Sequence, residues 1–392
     1  MPWKETQKMD QRREFVIKAL ESSNFRGLCR EYGISAKTGY KWKERFMAHG
    51  LEGMAEESRR PQGHAMELSE AVVCEIVKLK NAHRHWGPRK IRALYERKHG
   101  ETSTPSESSF KRVLKKAGLT KPRKRRRATE GGRLASGRKG TRANEVWSVD
   151  FKGWWKSAGG KRVEPLTVRD EYSRMILEMH APGSSRTEVV KACFERLFER
   201  HGLPEVMRSD NGVPFASTRS PLGLSRLSAW WVALGIDLER NRPGCPQDNG
   251  AHERMHLDMR NELEAGKIGR DQAAFDLWRE NYNYERPHEA LGMATPAEFY
   301  TPSERSYQGT PDELDYGAMQ TRRVHASRGT ICYRYQEIRI SKALRGWDLG
   351  LSPNKDGLIE LWFSSLLLGH IDPDTFSFRP GQPEAVQNHP KV

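Results

Sequence analysis

Between Thr120 and Arg142 the chain carries ten lysines or arginines against one acidic residue, Glu130, with several glycines and almost no large apolar side chains. A segment of that composition cannot bury enough apolar surface to fold alone, so the chain divides on either side of it. It reads as a basic linker, residues 120–143. Its densest part, Lys121, Arg123, Lys124, Arg125, Arg126 and Arg127, suits the phosphate backbone of a nucleic acid. The whole chain points the same way: 67 Lys and Arg against 51 Asp and Glu leave a formal charge of +16 over 392 residues. A surplus of that size favours a polyanionic partner, and the length calls for several domains.

Upstream of the linker the pattern is helical. Phe15, Val16, Ala19 and Leu20 recur at the spacing of one buried helix face. A second helix spans Phe25 to Tyr32, Gly33 ends it, and Ser35 can cap a third from Ala36 to Phe46. Helix, glycine turn, helix is a DNA-reading arrangement. It would offer Lys37, Thr38, Lys41 and Lys43 to DNA, while Ile34, Tyr40 and Trp42 hold the core. Residues 1–60 are therefore expected to form a helix-turn-helix domain. A second helical DNA-binding domain is expected over 61–119, built from Leu68–His83, Trp86–Tyr95 and Ser106–Lys116, with Arg89, Lys90, Lys111 and Arg112 facing DNA. Linked in tandem, the two would read a longer site than either alone.

Downstream the period changes. Strands are expected at Glu145–Lys152, Pro165–Arg169, Arg174–Met179, Glu205–Ser209 and Ile236–Arg240, and helices at Thr187–His201, Leu224–Leu234 and Gly250–Leu263. Three early strands followed by alternating elements give a mixed-sheet α/β domain over 144–305. The segments Gly329–Ile340 and Leu358–His370 are rich in Ile, Tyr, Leu, Trp and Phe, and predict a small β-barrel within 315–392. The five cysteines are scattered and form no CxxC pair, so neither disulfides nor a cysteine zinc site is expected. With no apolar signal core and no apolar run of membrane length, the expected compartment is the bacterial cytoplasm, at the nucleoid.

Three acids stand out. In Val146-Trp-Ser-Val-Asp150-Phe, strand alternation puts Trp147, Val149 and Phe151 on one face and Asp150 on the other. Asp210 ends a strand and is followed by an Asn211-Gly212 turn. Glu253 falls in the first turn of a helix entered through a Gly- and Pro-rich approach, Pro243 to Gly250. Hard divalent cations take oxygen ligands, and two Mg²⁺ ions, with Mn²⁺ as a substitute, held by three carboxylates would clamp an in-line phosphoryl displacement. Glu262 and Glu264 are alternatives for the third acid, further along the same helix.

A competing pattern overlaps the third acid. His252-Glu253-Arg254-Met255-His256 fits HExxH, two zinc ligands one helical turn apart with a glutamate base. It lacks an extended HxxGxxH continuation and leaves the helical units, the linker and both aspartates without a purpose. A DNA-binding regulator with an inert core is a third possibility, against which the presence of all three acids argues.

The segments VWSVDFKGWW, LTVRDEYSRMI, RSDNGVPFAS, GCPQDNGAHERMH and Tyr282-Asn-Tyr-Glu-Arg-Pro-His288 resemble those of bacterial insertion-sequence transposases of the DDE type, which have a retroviral-integrase-like core. The resemblance runs through roughly the first three quarters of the chain, and the stretch Thr218–Leu224 is an insertion relative to compact members. It implies an RNase H-like core with Asp150, Asp210 and Glu253 as the metal-binding catalytic triad. It further implies double-stranded DNA, both element ends and target, as partner, and a homo-oligomer assembled on DNA.

Overall fold

The computed structural model describes residues 8–56, 68–120, 137–151, 153–156, 160, 162–265 and 271–381. The chain forms two compact units, 1–70 and 71–392.

The first unit has three helices: α1 (Lys8–Glu21), α2 (Phe25–Glu31) and α3 (Ala36–His49). Phe15, Val16, Ala19, Leu28, Cys29, Ile34, Trp42 and Met54 form its core. The Ser35 side chain caps α3 by accepting the Thr38 amide. Gly39 is where α3 crosses its neighbours, since a Cβ there would lie 2.7 Å from Cys29 Sγ and 3.0 Å from Phe15. Two expected core residues are displaced. Leu20 is 46% exposed, and Arg12 takes the inward position instead, donating to the Met54 carbonyl at 3.0 Å with its guanidinium 3.9 Å from the Trp42 ring centre. Tyr40 is 51% exposed and stacks on the outside of Phe25, with 4.3 Å between ring centres.

The second unit begins with α4 (Glu70–Ala82), α5 (Pro88–His99) and α6 (Glu107–Lys116), the last capped by Ser106. A five-stranded sheet follows, with β1 (Val146–Phe151) at its centre. A short hairpin of β2 (Trp155–Lys156) and β3 (Arg162–Val163) leads to β4 (Leu166–Asp170) and β5 (Ile176–His180). Then come α7 (Thr187–His201), β6 (Val206–Ser209), α8 (Arg226–Ala233) and β7 (Asp237–Arg240). The sheet order is β5-β4-β1-β6-β7, with β4 antiparallel to β1 and β6 parallel to it. The last two helices are α9 (Gly250–Ala265) and α10 (Gln272–Glu280).

Alternation along β1 explains the layering. Trp147 and Val149 enter a large apolar cluster with Val190, Phe194, Leu197 and Phe198 of α7 and Trp230 and Trp231 of α8. Each such fully buried side chain contributes about 1.5–3 kcal/mol. On the opposite face a smaller cluster joins Ile176 and Met179 to Met255, Met259 and Leu263 of α9 and Phe275 and Trp278 of α10. Between β1 and α9 that face is polar: Ser148, Thr167, Arg169 and His252 are all fully buried.

The C-terminal part is antiparallel: β8 (Gln320–Arg323), a hairpin of β9 (Thr330–Tyr333) and β10 (Gln336–Arg339), then β11 (Asp348–Pro353), β12 (Ile359–Phe363), β13 (Leu366–Ile371) and β14 (Phe378–Pro380). Its sheet runs β14-β13-β12-β11-β8. Leu349, Leu361, Phe363 and Leu368 belong to the same apolar cluster as Trp147 and Trp231, so this sheet and the central one share a core. The insertion noted in the sequence helps to join them: Leu222 is buried in that cluster, and Ser220 Oγ lies 2.8 Å from Ser341 Oγ.

Candidate active site

Asp150 and Asp210 stand at the same end of neighbouring parallel strands. The ladder pairs Val146 with Val206, Trp147 with Met207 and Ser148 with Arg208, so two further residues along each strand are Asp150 and Asp210. Strands so paired run about 4.8 Å apart. The Asp150 side chain is 25% exposed. Asp210 is half-buried, and its Oδ1 accepts the Gly212 amide at 3.0 Å, which is how the Asn-Gly turn orients the carboxylate. Arg240, on the adjacent β7, donates to Ser209 Oγ at 2.7 Å. Burial pulls the Arg240 guanidinium down to about 10, against the pull of Asp210 in the other direction.

Glu253 lies exposed in the first turn of α9. The residues on either side of it in the helical turn, His252 and His256, face inward to the polar stripe. His252 Nδ1 is 2.9 Å from Ser148 Oγ, and its Nε2 is 2.7 Å from Thr167 Oγ1. His256 Nε2 lies 2.7 Å from the same Thr167 oxygen, and its Nδ1 is 3.8 Å from Asp150 Oδ2. Both ring nitrogens of His252 are thus engaged inside the protein, and burial, with His256 and Arg169 adding to it, holds the imidazole far below its ordinary range and neutral. The zinc-peptidase reading required a free nitrogen on that residue.

Among the described residues no three His, Cys, Asp or Glu side chains stand close enough together to hold a metal ion. In kind the donors suit a hard cation: two carboxylates toward the same end of neighbouring strands and a third on the helix packed over that face. Glu262, the sequence alternative to Glu253, is committed elsewhere. It accepts from Trp278 Nε1 at 2.7 Å and from Arg286 Nη1 at 2.6 Å. The side chain of Glu264 lies outside the described residues.

Sequence reasoning missed two supports of this arrangement. Arg286, within the Tyr282–His288 motif, is buried and donates to both Asp258 (2.7 Å) and Glu262, fastening the far half of α9. The signal was present as two acids one helical turn apart. The second support is Glu171. It accepts from Ser148 at 2.6 Å and from Arg169 at 2.7 Å. Burial raises the Glu171 carboxyl, but Arg169, Ser148 and Arg208 outweigh that and keep it low, so it is ionised. Arg208 continues the chain of contacts to Glu239 at 2.8 Å, and Glu239 accepts the Arg138 amide.

The residues expected to face DNA divide into groups. Lys37 and Lys41 are exposed on α3, whereas Thr38 is half-buried beside Ser35 and Lys43 donates to the Ala19 carbonyl at 3.2 Å. Lys111 and Arg112 are exposed on α6, with Lys111 paired to Glu107. Arg89 and Lys90 lie against the α9–α10 side of the central domain: Arg89 pairs with Glu289 at 2.9 Å, and half-buried Lys90 is drawn down to about 8 by burial and by Arg286. Lys121 and Arg123 to Arg127 lie outside the described residues. Among the described residues no helix is long and apolar enough to cross a membrane.

Comparison with known proteins agrees with this layout. Residues 140–246 and 234–296 match the description "Integrase core domain". Residues 11–62 match "Helix-turn-helix domain", 38–114 "Homeodomain-like domain", and 319–377 "IS481 family transposase, C-terminal domain". The 31.7 kDa protein of insertion element IS407 from Burkholderia multivorans is 29% identical over 59% of this chain and 81% of its own length. The 39.2 kDa protein of insertion element IS476 from Xanthomonas euvesicatoria is 29% identical over 64% of this chain and 70% of its own. Among solved structures, the catalytic core domain of BIV integrase aligns over 40% of this chain and 93% of its own, at 25% identity and a TM-score of 0.32. The mixed sheet, with helices on both faces, is the RNase H-like arrangement that the motifs implied. With helix-turn-helix matches before an integrase core and a transposase C-terminal match after it, the chain has the domain make-up of an insertion-sequence transposase with an integrase-type core.

Proposed function

We propose that the chain binds the terminal inverted repeats of its own mobile element and carries out metal-dependent cleavage and joining of DNA strands, with Asp150, Asp210 and Glu253 as the acids that hold the metal. The observation that supports this reading is the parallel pairing of β1 with β6, which carries Asp150 and Asp210 toward the same end of neighbouring central strands, under the helix that bears Glu253.

Oxygen donors in this number fit two Mg²⁺ ions, with Mn²⁺ as a substitute. When bound, such a pair activates the attacking oxygen and steadies the departing 3′ oxygen. The protein's own part is positional. The Asn-Gly turn aims Asp210, the polar stripe under α9 fixes the helix of Glu253, and α3 with its exposed lysines holds the DNA end. Water attacks the phosphodiester at the element end to free a 3′ hydroxyl, and that hydroxyl then attacks target DNA. Both are phosphoryl transfers in which positioning and charge neutralisation supply most of the acceleration. Joining two ends calls for more than one protomer on paired DNA, and light scattering of the protein with two end duplexes tests that.

The decisive experiment uses duplexes of the repeats flanking the coding region, Mg²⁺ and a plasmid target. Asp150→Asn, Asp210→Asn and Glu253→Gln should each abolish cleavage and joining while end binding persists. Full cleavage by any one of the purified variants would remove that residue from the reaction.

A further inference from the structure

The polar stripe under α9 converges on one hydroxyl. Thr167 is the direct partner of Asp150 in the antiparallel β1–β4 ladder, so the two side chains share a face. Thr167 Oγ1 lies 3.0 Å from the Asp150 carbonyl and 2.7 Å from Nε2 of both His252 and His256. A hydroxyl has one hydrogen and two lone pairs, so three partners saturate it.

The hydrogens can be placed. Ser148 is 2.6 Å from Glu171, whose carboxylate offers only lone pairs, so the Ser148 hydrogen goes to Glu171. The Asp150 carbonyl likewise has only lone pairs, so Thr167 donates its hydrogen there and accepts the Nε2–H of both His252 and His256.

We propose that Thr167 is a positioning residue for the acidic site: through His252 and His256 its hydroxyl sets the helix bearing Glu253 in register with the strand bearing Asp150. The two histidines sit one residue before Glu253 and three after it. A helix pinned at both points cannot turn by one residue, which is 100°, or slide by 1.5 Å, without breaking both bonds. This inference rests on the reading of Asp150 and Glu253 as metal-holding acids and adds what orients them.

The test measures Mn²⁺ binding through the resonance of free Mn²⁺, together with cleavage of the end duplex as Mn²⁺ is raised. Thr167→Val keeps the shape and removes the hydroxyl. It should raise the Mn²⁺ Kd about tenfold or more, the usual effect of losing a group that orients a ligand, with cleavage recovering in part at high Mn²⁺ and end binding unchanged. Thr167→Ser keeps the hydroxyl and should restore affinity to within about twofold of the original. A folded Thr167→Val protein that binds Mn²⁺ as the original does overturns the inference. If that variant does not fold, His256→Gln and His256→Ala decide it: Gln, which retains an N–H donor, should bind Mn²⁺ more tightly than Ala, and equal binding by both overturns the inference. Asp150→Asn run in parallel separates the two levels, because unchanged Mn²⁺ binding there defeats the assignment of the acids themselves.

Discussion

The Oδ1 atom of Asp210 accepts the amide hydrogen of Gly212 at 3.0 Å, and a Cβ on Gly212 would lie 3.0 Å from the other carboxylate oxygen. Residue 212 therefore both orients the acid and leaves it room. Gly212→Ala forces the carboxylate to move by a few tenths of an ångström. Misplacement by an ångström at a reacting centre costs about a hundredfold, so a smaller shift should slow end cleavage by roughly tenfold. End binding and the unfolding midpoint should hold. Cleavage at the original rate would show that Asp210 tolerates the shift.

Arg286 carries a different load. It is 4% exposed and holds Asp258 and Glu262 at 2.7 and 2.6 Å. Removing one partner of a buried ion pair leaves the others uncompensated, at about 3–5 kcal/mol. Both acids keep some contact with solvent, so Arg286→Ala should fall near the lower end of that range, read as a lower urea midpoint. Arg286→Lys should recover little, because an ammonium cannot present the planar fork that meets two carboxylates. Recovery by lysine would reduce the interaction to simple charge.

These two residues show what the sequence made legible. Strand and helix periods placed Thr187–His201 to the residue and the three acids on their separate elements, because alternation and turn chemistry are local. The helix-turn-helix was readable from Ser35 and Gly33 for the same reason. What escaped was set by contacts between distant segments. Tyr40 was expected inside, yet the close approach at Gly39 leaves that ring outside against Phe25. Arg89 and Lys90 looked like free cations because Glu289 and Arg286, their neighbours in space, lie about two hundred residues away in the chain. The two histidines beside Glu253 suggested zinc because an HExxH spacing says nothing of the threonine and serine waiting on the strands beneath.

On α3 the exposed lysines separate from the structural one. Lys37→Ala and Lys41→Ala should weaken binding of the end duplex and lower the slope of log affinity against log salt by about one each, as expected for lost phosphate contacts. Lys43→Ala should instead lower the stability of the first unit, because its ammonium donates to the Ala19 carbonyl. Tyr40→Ala, with the ring exposed on the same helix, should alter discrimination between repeat sequences more than the salt slope. A salt slope unchanged in both Lys37→Ala and Lys41→Ala would turn this face of α3 away from DNA.

Stability should also fall on mild acidification, and the sign follows from His288. Burial, with Lys90 and Arg286 adding to it, pulls its imidazole down to about 3 in the folded protein. Above an ordinary histidine value near 6.5 neither state binds the proton and the group contributes nothing to the pH dependence. As pH drops below that value the unfolded chain takes up the proton and the folded one does not, so stability is lost progressively down to the folded value. Between pH 7.5 and 5.5 this amounts to about 1.4 kcal/mol for one histidine. His201, drawn to about 4 chiefly by burial, acts in the same direction. The buried carboxylate Glu171 is held low, so its contribution is lost only at more acidic pH and does not enter this window. Urea unfolding at the two pH values should show the loss, and His288→Asn should shrink it. An equal drop in that variant would assign the pH dependence to other groups.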